Sequence, residues 1–151
     1  MTVKCYRFVT ETLESENGDV QWTVGEWQKL GNNDPLKLCC NGFHASKKPL
    51  DSLDNAFGSR WFIAEAKGER LEETDKFCCR EMRLIKEIPR TLIVQFAVDC
   101  AKRVLPIFEK QVLNDKRPEE AVEAVEAWLK DPTEENMKKV DSARDAAWGA
   151  A

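Results

Sequence analysis

The chain has 151 residues, 42% hydrophobic and 33% charged, with a formal net charge of −4. That length and balance suit one ordinary folded domain or two small ones, and they exclude a disordered chain. The charge excludes wholesale nucleic-acid binding, because basic residues come only in scattered pairs such as Lys47-Lys48 and Lys138-Lys139.

Val3 to Thr10 alternates and is rich in β-branched and aromatic residues, which predicts a strand. Ser15-Glu16-Asn17-Gly18-Asp19 carries an Asn-Gly turn, so Val20 to Val24 is expected to return as a hairpin partner. Residues 31–35 read as a loop, and Leu36 to Cys40 as a short strand ending at Asn41-Gly42. Pro49 opens a short helix running to about Phe57, with Leu50, Leu53 and Phe57 on one face. Trp61 to Ala66 and Lys76 to Ile88 complete the strands, separated by an acidic loop from Gly68 to Asp75.

At Pro89 the period becomes helical. Residues 91–113 are strongly apolar, with Leu92, Phe96, Val104, Ile107 and Phe108 as expected core positions, and Pro106 must kink or split that helix. A second helix starts at Pro118 and carries Ala121, Val122, Val125, Trp128 and Leu129 on one stripe. Asp131-Pro132 caps a third, with Met137, Val140, Ala143 or Ala147, and Trp148 at helical spacing. The expected fold is therefore α+β: a small, mainly antiparallel sheet with one short helix over residues 1–89, followed by a three-helix segment, 90–151, packed on it.

No apolar run reaches the ~18 residues of a spanning helix, and the N-terminus has no signal-peptide stretch, so a cytoplasmic protein is expected. The six cysteines, Cys5, Cys39, Cys40, Cys78, Cys79 and Cys100, then read as buried and reduced. The adjacent pairs lack the spacing of a zinc knuckle, so no metal is expected.

Two resemblances arise on particular residues. Tyr6, Val24-Gly25, Leu38-Cys39, Gly42-Phe43-His44-Ala45, Pro49-Leu50 and Gly68 together resemble an uncharacterised domain found widely in phage and prophage proteins, over residues 3 to 88. Asp99 to Pro106, Arg117-Pro118 and Ala121-Val122-Glu123-Ala124 are similar to a family of small helical proteins classed as immunity proteins. That second resemblance implies a protein partner, a toxin that the family neutralises.

His44 is the only histidine, which excludes a triad with a second histidine or a two-histidine metal site. Its place at a strand end favours a turn-organising role over a ligand-binding one, and Ser46 reads as a cap for the helix after it. A rival enzymatic reading takes Tyr6, Arg7, His44, Ser46 and Glu81 as loosely similar to ADP-ribosyltransferases, which clamp NAD and stabilise an oxocarbenium-like transition state with a strand glutamate. Against it, Cys79 stands where a second polar partner belongs, and Glu81 alternates with Arg80 and Arg83 like a solvent-facing strand. A binding surface is read instead at Trp22, Trp27 and His44 and in the acidic run Glu69, Glu72, Glu73 and Asp75, which can meet a basic partner. The leading expectation is a non-enzymatic protein of phage or mobile-element type that inhibits a protein target, with no cofactor, no nucleic acid and no membrane. A homodimer through the apolar helices stays open.

Overall fold

The structure, a computed structural model, describes residues 1–16, 19–31 and 34–148, with backbone alone at 147 and 148. The expected turn at Asn17-Gly18, the loop positions Asn32 and Asn33, the side chains of Ala147 and Trp148, and the Gly149-Ala150-Ala151 end lie outside the described residues. The chain divides into two compact units, Met1–Pro89 and Arg90–Ala151.

The first unit runs β1 (Val3–Val9), β2 (Gln28–Lys29), β3 (Phe43–Ala45), α1 (Pro49–Asp54), β4 (Arg60–Glu72) and β5 (Phe77–Ile88). All described pairings are antiparallel: β1 with β4, β4 with β5, and both β2 and β3 with the far edge of β5. The period of two decides which side chains are buried. Along β1, Cys5 and Val9 are fully buried, and Arg7 shares their face. Tyr6 and Phe8 turn the other way, toward Trp61, whose ring stacks on Phe8 at 5.7 Å. Trp22, Phe43, Phe62, Ala64, Ala66, Phe77, Met82 and Leu84 fill the interior with Cys5 and Val9.

Several local expectations change. Val20 to Val24 forms no full strand; the return is limited to an antiparallel bridge between Glu14 and Gln21, flanked by the Ser15 N–H to Val20 carbonyl and Trp22 N–H to Leu13 carbonyl bonds. Leu36 to Cys40 is a turn closed by reciprocal Lys37–Asn41 backbone bonds, and the strand is the next segment, β3. The acidic segment from Gly68 is not all loop. Gly68, at φ +79, sits at a register shift, a bulge after which β4 resumes through Arg70, Leu71 and Glu72. The short helix stops at Asp54 rather than about Phe57; its buried residue is Ser52, while Leu50 and, beyond the helix, Phe57 are exposed. The reason is Trp61, whose indole N–H reaches the Ser52 hydroxyl at 3.0 Å.

The second unit comprises α2 (Arg90–Gln111), α3 (Arg117–Lys130) and α4 (Glu134–Trp148), with α3 against both of the others. Lys102 on α2 meets Glu126 on α3 at 2.8 Å. Pro106 does not split α2, although it leaves the Lys102 carbonyl without its usual donor. Thr133, rather than Asp131, supplies the side-chain oxygen at the start of α4, accepting from the Asn136 N–H at 3.3 Å. Of the expected core positions on α2, Leu92, Phe96, Val104 and Ile107 are exposed; α3 and α4 leave them uncovered. Among the described residues, no helix is long and apolar enough to cross a membrane.

Gly58 holds the entry to β4 at φ +130, where an added Cβ would collide with the Val9 carbonyl. Gly58→Ala is therefore expected to destabilise the sheet unit by roughly 2–3 kcal/mol. Urea unfolding should show a lower midpoint at an unchanged m-value; an unmoved midpoint would mean that the turn relaxes freely.

Candidate functional site

The sheet closes on itself at a single rung. The Tyr6 N–H donates to the Ser46 carbonyl at 2.8 Å, and the Ser46 N–H returns to the Tyr6 carbonyl at 3.0 Å. Since β1 pairs with β4, β4 with β5 and β5 with β3, this rung brings the two ends of the sheet together. Closure stops there. By the period of two, the Phe8 N–H and carbonyl face the same side as those of Tyr6, yet no backbone partner meets them among the described residues.

Arg7 occupies the gap. Its guanidinium donates to the His44 carbonyl at 2.5 Å and to the Ser15 hydroxyl at 3.0 Å. The Trp22 indole N–H donates to the same hydroxyl at 3.1 Å, and Arg7 lies 4.9 Å from the centre of the Trp22 ring. This cation–π contact offsets part of the cost of moving the charge out of water. Arg7 is half-buried overall, but its Nε is shut off from solvent without a partner. Burial pulls the guanidinium down to about 10, so it remains charged at neutral pH. A cleft of about 620 Å³ opens at this seam, with Tyr6, Arg7, Phe8, Ser15, His44, Ser46, Phe57 and Lys76 among its lining residues.

His44 organises the turn beside the cleft. Its Nε2 accepts the Cys39 N–H at 2.9 Å. That bond holds Cys39 at φ 57, a left-handed conformation in which few non-glycine residues rest. Burial, and then the nearby Arg7 charge, keep the imidazole below its ordinary value, against a hydrogen bond with the Gly42 backbone. The neutral ring is the form that can accept from Cys39.

Tyr6, Arg7, His44 and Ser46 thus come together around one cleft, and Glu81 does not join them. It lies on the opposite face of β5 from Met82, bridged to Lys67 at 3.2 Å and Lys29 at 3.4 Å. Ser46 does not cap α1, whose N-cap is Lys48 with no side-chain bond; its backbone makes the closing rung instead. Trp22 is only 1% exposed and offers no surface to a partner. Trp27 is half-buried beneath Lys67 and Arg83, at 4.0 and 4.8 Å. In the acidic run, Glu69 pairs with Arg80, Glu72 with Lys47 and Glu73 with Lys76, while Asp75 accepts from Asn55. These carboxylates are exposed or partly so, but each already has a partner. The cysteines divide: Cys5, Cys78 and Cys79 are buried, whereas Cys39, Cys40 and Cys100 are exposed, and all six are free. Burial pushes Cys5 and Cys79 up to about 12. Among the described residues, no three His, Cys, Asp or Glu side chains group to hold a metal ion.

Sequence reasoning passed over Ser15, Phe57 and Lys76 as neighbours of this cleft. A signal for Arg7 was present, since alternation places it on the same face as Cys5 and Val9, an odd position for a charge.

The chain belongs to the family described as Domain of unknown function (DUF7666), whose model matches residues 3–95. A second model, described as Imm-5 like putative immunity protein, matches residues 83–150. The two matches share the end of β5 and the start of α2. No curated protein and no solved structure matches the chain.

Two outcomes test this geometry. Because His44 is depressed in the folded state, the unfolded chain takes up its proton first as pH falls. Stability should therefore drop as pH is lowered through about 6.5 and toward the lower folded value. His44→Ala should lower stability at pH 7 and flatten the melting temperature across that window; an unchanged pH slope would refute the imidazole's role. Alkylation of the native protein should label Cys39, Cys40 and Cys100, and release Cys5, Cys78 and Cys79 only on unfolding. Mass mapping reads this directly, and rapid native labelling of Cys5 would contradict the closed sheet.

Proposed function

We propose that the chain is a non-enzymatic inhibitor of phage or mobile-element type, acting in the cytoplasm by binding and neutralising a toxic protein. The observation that carries this reading is the immunity-protein match over residues 83–150, which takes in almost the whole helical unit. The surface of α2 supports it. Leu92, Phe96, Cys100, Val104 and Ile107 are exposed and spaced to share one helical face. A contiguous apolar stripe on a solvent-facing helix is the kind of surface that a protein partner covers. The partner's basic groups would meet a chain with a net charge of −4, which favours encounter.

The full-length chain, used as bait in a lysate of its native host under reducing conditions, should retain one stoichiometric protein. That protein should arrest bacterial growth when expressed alone, and co-expression with this chain should restore growth. Val104→Asp with Ile107→Asp should weaken the complex by roughly 30-fold or more at unchanged helicity. A bulky maleimide on Cys100 should do the same. A captured protein that is harmless, or one that binds the double variant equally well, would refute the proposal.

A further inference from the structure

We propose that the cleft at the seam of the sheet unit binds a small organic phosphate of nucleotide size, with the phosphate on Arg7 and a flat ring against Tyr6 and Phe57. This stands apart from the inhibitor reading, which rests on residues 83–150.

The other four arginines of the sheet unit, Arg60, Arg70, Arg80 and Arg83, each have a carboxylate partner, at 2.6, 3.6, 2.8 and 2.7 Å respectively. Arg7 is the most enclosed and has none among the described residues; its fixed contacts are a carbonyl, a hydroxyl and the face of Trp22. A guanidinium carries five N–H donors, and here two are given to protein oxygens. A charge held in a desolvated place with donors to spare is under-neutralised, and an anion entering the cleft would complete it.

The surroundings select the kind of anion. The Phe8 N–H, which meets no backbone partner at the seam among the described residues, lies one residue from Arg7 and adds a neutral donor, as in other backbone anion sites. Lys76, which also meets Glu73 at 3.7 Å, lines the same cleft and adds positive charge on its far side. Several donors from different directions fit a phosphate, with its larger set of acceptor oxygens, better than a carboxylate. The acidic lining residues, Glu16, Asp19 and Asp34, are exposed, so solvent and salt weaken their opposition. Phe57 is 57% exposed at the cleft, and Tyr6, which turns to the opposite face of β1 from Arg7, lies half-buried there, so the ring sits across the seam gap from the phosphate. A volume of about 620 Å³ falls within the usual range for a site of this ligand size.

The test follows the Arg7 Nε–H resonance of the full chain by nitrogen–proton NMR at constant ionic strength. The probes are inorganic phosphate, adenosine 5′-monophosphate, adenosine and benzoate. The monophosphate should shift that resonance and bind about tenfold or more tightly than adenosine. Inorganic phosphate should shift the same resonance more weakly. Phe57→Ala, at an exposed position, should retain the fold and weaken the monophosphate by roughly 3- to 10-fold. Arg7→Lys should lose the preference for the monophosphate over adenosine; if that variant unfolds, the wild-type resonance and Phe57→Ala still decide. The proposal is overturned if no probe moves the Arg7 signal at millimolar concentration, if adenosine binds as well as its monophosphate, or if benzoate binds best.

Discussion

A guanidinium enclosed between the two ends of a sheet must be satisfied by whatever those ends present, and much of the first unit follows from that demand. Arg7 draws in the carbonyl of His44 from one side and the hydroxyl of Ser15 from the other. Ser15 in turn receives the indole of Trp22, which ties the segment after β1 into the core. One charged side chain thereby links three stretches that backbone pairing alone would leave loosely joined. The price of confining a cation is met by hydrogen bonds and an aromatic face rather than by a carboxylate, which distinguishes Arg7 from the surface arginines around it.

The long strands and the helices were legible because their periods are unambiguous. Trp61 to Ala66 forms the first half of β4 and Lys76 to Ile88 takes in all of β5, and the three helices fall where proline and the apolar spacing place them. The short elements were not legible. Leu36 to Cys40 looks like a strand by composition, but Asn41-Gly42 and the acceptor on His44 make a turn there locally cheaper. β2 is two residues long, Gln28–Lys29, and carries no periodic pattern; it exists because the edge of β5 offers it a partner. The same limit applies to the cleft. Tyr6, Arg7, His44 and Ser46 could be named from the chain, but their meeting depends on a rung between residues forty positions apart, which local pattern does not encode.

The cysteines and tryptophans show how composition misleads about burial. Adjacent cysteines look alike in sequence, yet Cys78 and Cys79 lie in the central strand whereas Cys39 and Cys40 lie on an exposed turn. Trp22 sits in a polar stretch and is nonetheless among the largest fully buried side chains. In the helical unit the opposite happens: apolar residues on α2 that read as core stay uncovered, since α3 covers only part of α2 and α4 packs chiefly on α3. The sheet unit holds its apolar groups inward, and the helical unit presents a row of them outward. The two units therefore face different chemical demands, one shaped around a polar cleft and the other around an apolar stripe.

The order of pairing along the chain also has a kinetic meaning. β4 and β5 are joined by a turn of a few residues, so their ladder forms at small entropic cost from neighbouring sequence. The Tyr6–Ser46 rung instead closes a long loop and adds only two hydrogen bonds, so it gains least for the chain it must constrain. On pairing alone, the β4–β5 hairpin is the best-protected part of the sheet and the rung one of the least protected. The cleft thus lies at a join that long-range closure alone holds, and anything seated in it would act as a clasp across that join.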